Sequence, residues 1–186
     1  MSRAFINEDA QSEAQAELPE RPQSPHPNYV TPQGLAALER RLANLLAERS
    51  ALSDDGEAMS QEAALRRIDR DARYVGARID RAIVVNPGEQ PRGEVAFGAT
   101  VRVRDAGGEE RVYAIVGEDE ADVAVGKVSW VSPLAKALLG ARVEDVVTWR
   151  RPSGNVDLEV LSIDYPSSST PASPGSPPST DGDCDR

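Results

Sequence analysis

Asp54, Asp55 and Glu57 stand together in the run Ser53-Asp54-Asp55-Gly56-Glu57. Carboxylates this close can offer oxygens to a hard divalent cation such as Mg²⁺, which keeps several of its waters and needs only one or two protein ligands. The same run also reads as a solvated turn, because Asp55-Gly56 is a turn signal and acids ahead of a helix are favoured by its dipole. Mutual repulsion among the three acids works against the turn and keeps the metal reading open. Arg66, Arg67, Arg70, Arg73, Arg78 and Arg81 follow, and Arg66, Arg70 and Arg73 share a helical face. They can meet RNA or an acidic protein surface, or form a solvated face with pairs such as Arg67 with Asp71. Ser132-Pro133 has the form of a helix start, with serine as N-cap and proline in the first turn. Trp130 and Trp149 read as packing residues on strands. His26 sits among prolines with no evident role, and the single cysteine, Cys184, has no partner for a disulfide or a Cys/His zinc cluster.

The elements that position these residues follow from periodicity. Thr31 caps a helix that Pro32 opens, and Leu35, Leu38, Leu42 and Leu45 make one apolar stripe along it. A break follows at Ser50–Ser60, where Ser53 or Asp54 would cap the next helix. A second stripe runs Leu65, Ile68, Ala72, Val75, Ile79, Ala82 and ends at Asn86-Pro87-Gly88. Two such helices joined by a short polar loop bury their stripes against each other, which predicts an antiparallel hairpin over residues 29–86. Residues 87–94 read as a linker. From Val95 the period alternates: Val95, Phe97, Val101 and Val103 form one strand with a bulge at Gly98, and Asp105-Ala106-Gly107-Gly108 turns into Arg111–Val116. Lys127–Val131, Val146–Arg150 and Val156–Ile163 complete the set, with a helix at Leu134–Leu139. The fold class is α+β, a helical hairpin followed by a small antiparallel sheet with one short helix over residues 95–165.

The chain has 186 residues and a formal net charge of −10. The hairpin is neutral, whereas residues 87–165 are acidic. Free duplex DNA is therefore not the expected partner, and a protein surface with basic patches is. Residues 1–28 and 166–186 carry few large apolar side chains and are expected to be disordered acidic tails. No apolar run reaches membrane-spanning length and the N-terminus lacks a leader-like apolar segment, so the expected location is the cytoplasm.

Certain motifs resemble the GreA/GreB family of transcript-cleavage factors. Tyr29-Val30-Thr31-Pro32-Gln33-Gly34-Leu35 is similar to the start of that family's first helix, and Ile68-Asp69-Arg70, Arg73-Tyr74 and Ile79 to its returning helix. Phe97-Gly98-Ala99-Thr100-Val101, Ile115–Asp122 and Ser132–Gly140 resemble its C-terminal domain, and the likeness spans roughly residues 28–165. The resemblance implies an FKBP-like C-terminal domain that docks on the β′ subunit of bacterial RNA polymerase at the rim of the secondary channel, through Ser132, Pro133, Asp119 and Asp122. It implies a monomeric regulator with no catalysis and no cofactor of its own. Its hairpin enters the channel, where it also meets nascent RNA and helps the polymerase cleave backtracked transcripts. Asp54, Asp55 and Glu57 are the tip candidates, and Asp54 and Asp55 would share a Mg²⁺ held with the polymerase.

This sequence departs from the family at that tip. The pattern Asp-x-x-Glu-Asn falls on Ala51, Asp54 and Asp55 in an ungapped alignment. The first helix reads about a dozen residues shorter, which would shorten the rod by roughly 20 Å. A factor that occupies the channel without promoting cleavage, inhibiting or competing with Gre factors, is the alternative. An FKBP-like prolyl isomerase is a reading of another class. It needs an aromatic-lined pocket, whereas Phe97, Tyr113, Trp130, Trp149 and Tyr165 are spaced mostly as strand core. A hairpin adaptor for some other protein is a third.

Overall fold

The computed structural model describes residues 18–54 and 58–166, with the backbone alone at 53, 54 and 58–60. Two helices of 23 residues dominate the first half, α1 (Pro32–Asp54) and α2 (Ala58–Asp80). Each is about 34 Å long at 1.5 Å per residue. Their stripes face each other: Leu38, Ile68 and Val75 are buried, and Leu35, Leu42, Leu45 and Ile79 are partly covered. Leu46, one position off the stripe, is 52% exposed.

The expected break at Ser50–Ser60 is narrower than the sequence reading has it. α1 continues through Ala51 and Leu52, both good helix formers, and ends only at Asp54, so Ser53 and Asp54 belong to the first helix and do not cap the second. α2 also stops early, at Asp80. Ala82–Val84, read as the end of its stripe, leaves the helix to become strand β2. Two of its three residues are β-branched or follow one another in a run suited to extended backbone. It pairs in parallel with β1 (Asn28–Val30). The tail expected over residues 1–28 therefore does not extend to its last part: Asn28 is buried, and its Nδ2 donates to the Arg78 carbonyl at 2.6 Å.

The second half curls a five-stranded sheet around one helix. The strands are β3 (Thr100–Asp105), β4 (Glu110–Val116), β5 (Lys127–Ser129), β6 (Val146–Trp149) and β7 (Val156–Asp164), in the order β5-β4-β3-β7-β6. Three pairings are antiparallel, as expected, but β4 and β5 are parallel, so the sheet is mixed. The reason is the connection: residues 117–126 make two 3₁₀ turns that carry the chain back before β5, where a hairpin would have reversed it. Gly98 is not a bulge within a strand. Its φ is +84°, and a Cβ there would lie 2.6 Å from the Pro87 ring, so glycine is needed for a close approach of the linker. The register shift in β3 falls instead between Arg102 and Val103. Helix α3 (Pro133–Leu138) drops Leu134, Ala135 and Leu138 into a core with Val95, Val101, Val103, Ile115 and Val160.

Candidate functional site

The site is built where the hairpin meets the sheet module. Val116 ends β4, and the chain then turns through Glu118-Asp119-Glu120 in a 3₁₀ helix directly against the hairpin base. Its three acids divide the work. Asp119 accepts from Arg78 Nε at 2.6 Å, and Glu118 stands 3.4 Å from Arg78 Nη2. The Arg78 side chain is 1% exposed, while those of Glu118 and Asp119 are 22% and 15% exposed, so this is a buried cation held between two carboxylates. Glu120 turns the other way and binds the start of α1: it accepts from the Thr31 N–H at 3.0 Å and from the Thr31 hydroxyl, and from the Gly117 N–H at 3.2 Å. Thr31 Oγ1 in turn accepts from the Gly34 N–H at 3.0 Å, which is the N-cap read from the sequence.

Two glycines make this approach possible. A Cβ on Gly34 would lie 2.1 Å from the Glu120 carboxyl carbon, and one on Gly117 would lie 2.5 Å from the Tyr29 carbonyl oxygen. The hairpin is thus seated on the module through backbone-to-backbone contact, charge pairing and a helix cap at once. Beside it, Tyr29 packs edge-on against Trp130 at 5.1 Å and meets Phe97 in a tilted contact at 6.0 Å, so Trp130 serves as packing, as expected.

Ser132 and Pro133 lie just beyond Trp130. The Ser132 side chain accepts from the Ala135 N–H at 3.2 Å and Pro133 opens α3, fully as the helix-start reading has it. Pro133 is exposed, as is Lys136 one turn on, so the start of α3 presents a rigid surface point. Asp122 is also exposed and caps the second 3₁₀ turn through the Ala124 N–H at 3.0 Å. Asp119, expected among the docking residues, is engaged within the molecule by Arg78. Between α1 and the module runs a groove of about 520 Å³, lined by Arg40, Arg41, Asp119, Asp122, Val125 and Lys127 among others.

At the other end of the rod, Asp54 is the last residue of α1, and Asp55 and Glu57 lie outside the described residues, as does Cys184. Among the described residues no group of three His, Cys, Asp or Glu side chains is arranged to hold a metal ion, and no helix is long and apolar enough to cross a membrane. The arginines of α2 do not act as one face. Arg70 pairs with Asp71, Arg66 with Glu62, Arg73 with Glu20, and Arg78 is buried. His26 is not isolated: its ring meets the edge of Trp130 at 6.0 Å.

Sequence reasoning missed the junction. Arg78 reads with the other α2 arginines as a contact for RNA or an acidic surface or as part of a solvated face, although it lies three residues after Val75, on the side of α2 that faces inward. That spacing was the available signal. Of the module's aromatic residues, Tyr113 and Trp149 line an opening of about 50 Å³, well below the roughly 300 Å³ at which ligand clefts begin. Tyr165 ties the chain end down, donating to the Glu94 carbonyl at 2.7 Å and accepting from the Ala96 N–H at 2.8 Å. Burial raises its phenol above the ordinary 10.0.

Residues 90–165 match the family described as transcription elongation factor, GreA/GreB, C-terminal. Over 153 residues the chain is 37% identical to a transcription elongation factor GreB of Neisseria meningitidis, covering 74% of this chain and 94% of the relative. It is 36% identical to a GreB of Yersinia pestis, covering 74% and 89%. To a GreA of Pelobacter propionicus it is 36% identical over 124 residues, covering 64% and 78%.

Proposed function

This chain belongs to the GreA/GreB family of transcription elongation factors, and from that premise we propose that it binds bacterial RNA polymerase and regulates elongation from within the secondary channel. The module is the part that docks, on the β′ rim of the channel. The start of α3, where Pro133 is exposed and Ser132 partly covered, supplies the contact together with the exposed acid Asp122. The hairpin is the part that enters, and nascent RNA inside the channel is what its tip meets. The observation that carries the reading is the junction: Arg78 and Thr31 at the hairpin base are bound by consecutive acids of the module, so docking the module also directs the rod.

The protein acts as a regulator in the cytoplasm and leaves the chemistry to the polymerase. Asp54 and Asp55 would lend carboxylate oxygens to a Mg²⁺ that the polymerase holds, and such an ion supplies activated water. A second reading, occupation of the channel without cleavage, is favoured by Ala51. It stands where the family pattern has its first acid, and it lies within α1.

The test is equilibrium binding of core polymerase by the full chain and by Ser132→Glu/Pro133→Ala. The expected result is tight binding by the wild type and a loss of about tenfold or more in the variant, the scale of one well-placed contact. Absence of wild-type binding, or equal binding by a variant that melts at the wild-type temperature, would sink the proposal. RNA shortening in backtracked complexes, lost in Asp54→Ala/Asp55→Ala, then separates cleavage from simple occupation.

A further inference from the structure

The segment ahead of β1 crosses from the side of the rod to the module, bonding to both. Leu18, Pro19 and Glu20 lie beside Arg66, Asp69 and Arg73 of α2. The Glu20 carboxylate is 2.6 Å from Arg73 Nη2 and 3.0 Å from Nε. Arg21 places its guanidinium 4.1 Å above the Tyr74 ring and 3.5 Å from Asp71, a cation held by a π face and an acid together. Gln23 Nε2 donates to the Tyr74 carbonyl at 3.4 Å. The chain then leaves the helix. Ser24 Oγ donates to Glu118 at 2.9 Å, and His26 meets Trp130. Pro22, Gln23 and Ser24 wall the cleft that leads down to Arg78, Glu118 and Asp119.

We infer that α2 from Asp69 to Arg78, together with Glu118 and Trp130 of the module, is a peptide-docking surface whose ligand is this chain's own residues 18–27, and that the docked segment fixes the angle between hairpin and module. No motif resemblance reaches this segment, because the first residue similar to the family is Tyr29. Its composition suits the surface: a carboxylate and a guanidinium in sequence meet the Arg73 guanidinium and the Tyr74–Asp71 aromatic–carboxylate pair of α2. Four prolines, at 19, 22, 25 and 27, hold the segment extended and lower the entropy lost on docking.

The consequence is mechanical. The contacts that residues 18–27 make with α2 and those they make with the module lie on either side of the joint, so any rotation at the joint must break one set. Over a rod of about 34 Å, a rotation of about 10° moves the far end about 6 Å, more than the reach of a hydrogen bond. The segment also walls the cleft beside the Arg78–Asp119 pair, so it borders the joint itself. Each strap contact is weak alone; their value lies in spanning the two bodies.

Spin labels on Glu48→Cys of α1 and Arg150→Cys at the end of β6, in a Cys184→Ser background, read the angle as a distance distribution by pulsed electron paramagnetic resonance. The full chain should give one narrow distance. Arg21→Ala/Ser24→Ala in the full chain should broaden the distribution at least about twofold while circular dichroism stays that of the wild type. Deleting residues 1–24 should broaden it as much, and a synthetic peptide of residues 15–28 added in trans should narrow it again. Equal widths in the wild type and both variants would overturn the inference, as would broadening that the peptide does not reverse. None of these readouts involves polymerase, so their failure is distinct from failure of the proposed function.

Discussion

The module and the hairpin are held by different physics. The module buries twelve apolar residues in one cluster, whereas the hairpin buries only Leu38 and Val75, beside Val30 of β1, in the cluster at its base, and Ile68 of α2, and leaves the remainder of its stripe partly covered. What the hairpin lacks in core it recovers at the joint, where a buried guanidinium, a helix cap and two close-approach glycines tie it to the module. A rod secured this way is stiff only as long as the joint is intact. The module would keep its shape without the rod, but the rod would not keep its direction without the module.

Arg78→Ala should separate the two regions most. Removing the guanidinium leaves Glu118 and Asp119 without their cation in a largely buried setting, a loss of about 3–5 kcal/mol for a broken buried pair. In urea, helical circular dichroism should then fall before the fluorescence of Trp130 and Trp149 changes; coincident transitions would show that the joint is not what couples the two. Gly117→Ala should act in the same direction by about 1–3 kcal/mol, because its Cβ would press on the Tyr29 carbonyl and the backbone must shift. Thr31→Val, which deletes the hydroxyl that bonds Glu120 and caps Gly34, should cost about 1–2 kcal/mol and again lower the helical transition first. If it lowers both transitions equally, the cap belongs to the global fold and the division drawn here is too sharp.

Tyr165→Phe turns the comparison round, since its bonds lie in the module alone. It should cost about 1 kcal/mol and lower the fluorescence transition without moving hairpin helicity first. The phenol also gives a pH signature. Its pKa is raised in the folded state above the 10.0 of the unfolded chain. The stability it contributes is therefore complete below pH 10 and declines as pH rises from there through the raised value, as the unfolded chain ionises first. The Phe variant should lack that alkaline decline, and titrating the urea midpoint of both proteins checks it.

These divisions also mark what the sequence made legible. The hairpin could be read from Leu35, Leu38, Leu42 and Leu45 against Leu65, Ile68, Val75 and Ile79, because three/four spacing has no other common meaning. The turn at Asp105–Gly108, the cap at Thr31 and the start of α3 at Ser132-Pro133 were equally local. The parallel β4–β5 pair was not, since its register depends on how residues 117–126 fold back, and no periodicity encodes that path. Arg78 escaped for a related reason: a charged residue on an inward position looks like an interruption of the stripe until its two acids, forty residues away, are brought to it. Residues 18–27 were invisible because prolines and polar side chains without a period read as tail, whereas their contacts are single pairs to distant partners. Ser132 and Pro133 could be named as docking candidates only by resemblance, and they lie at a helix start where Pro133 is exposed and Ser132 partly covered. Asp119 shows the limit of the same reasoning, because the motif that names it does not reveal that Arg78 already holds it.

The central claim, that the module docks and the joint aims the rod, meets its most direct test in backtracked elongation complexes saturated with wild type or with Arg78→Ala. Occupancy and the rate of RNA shortening are measured together, with and without an added Gre factor. The account predicts that both proteins reach similar occupancy through the module, while only the wild type changes the shortening rate, whether by raising it or by suppressing that of the added factor. An equal change in rate from both proteins at matched occupancy would contradict it.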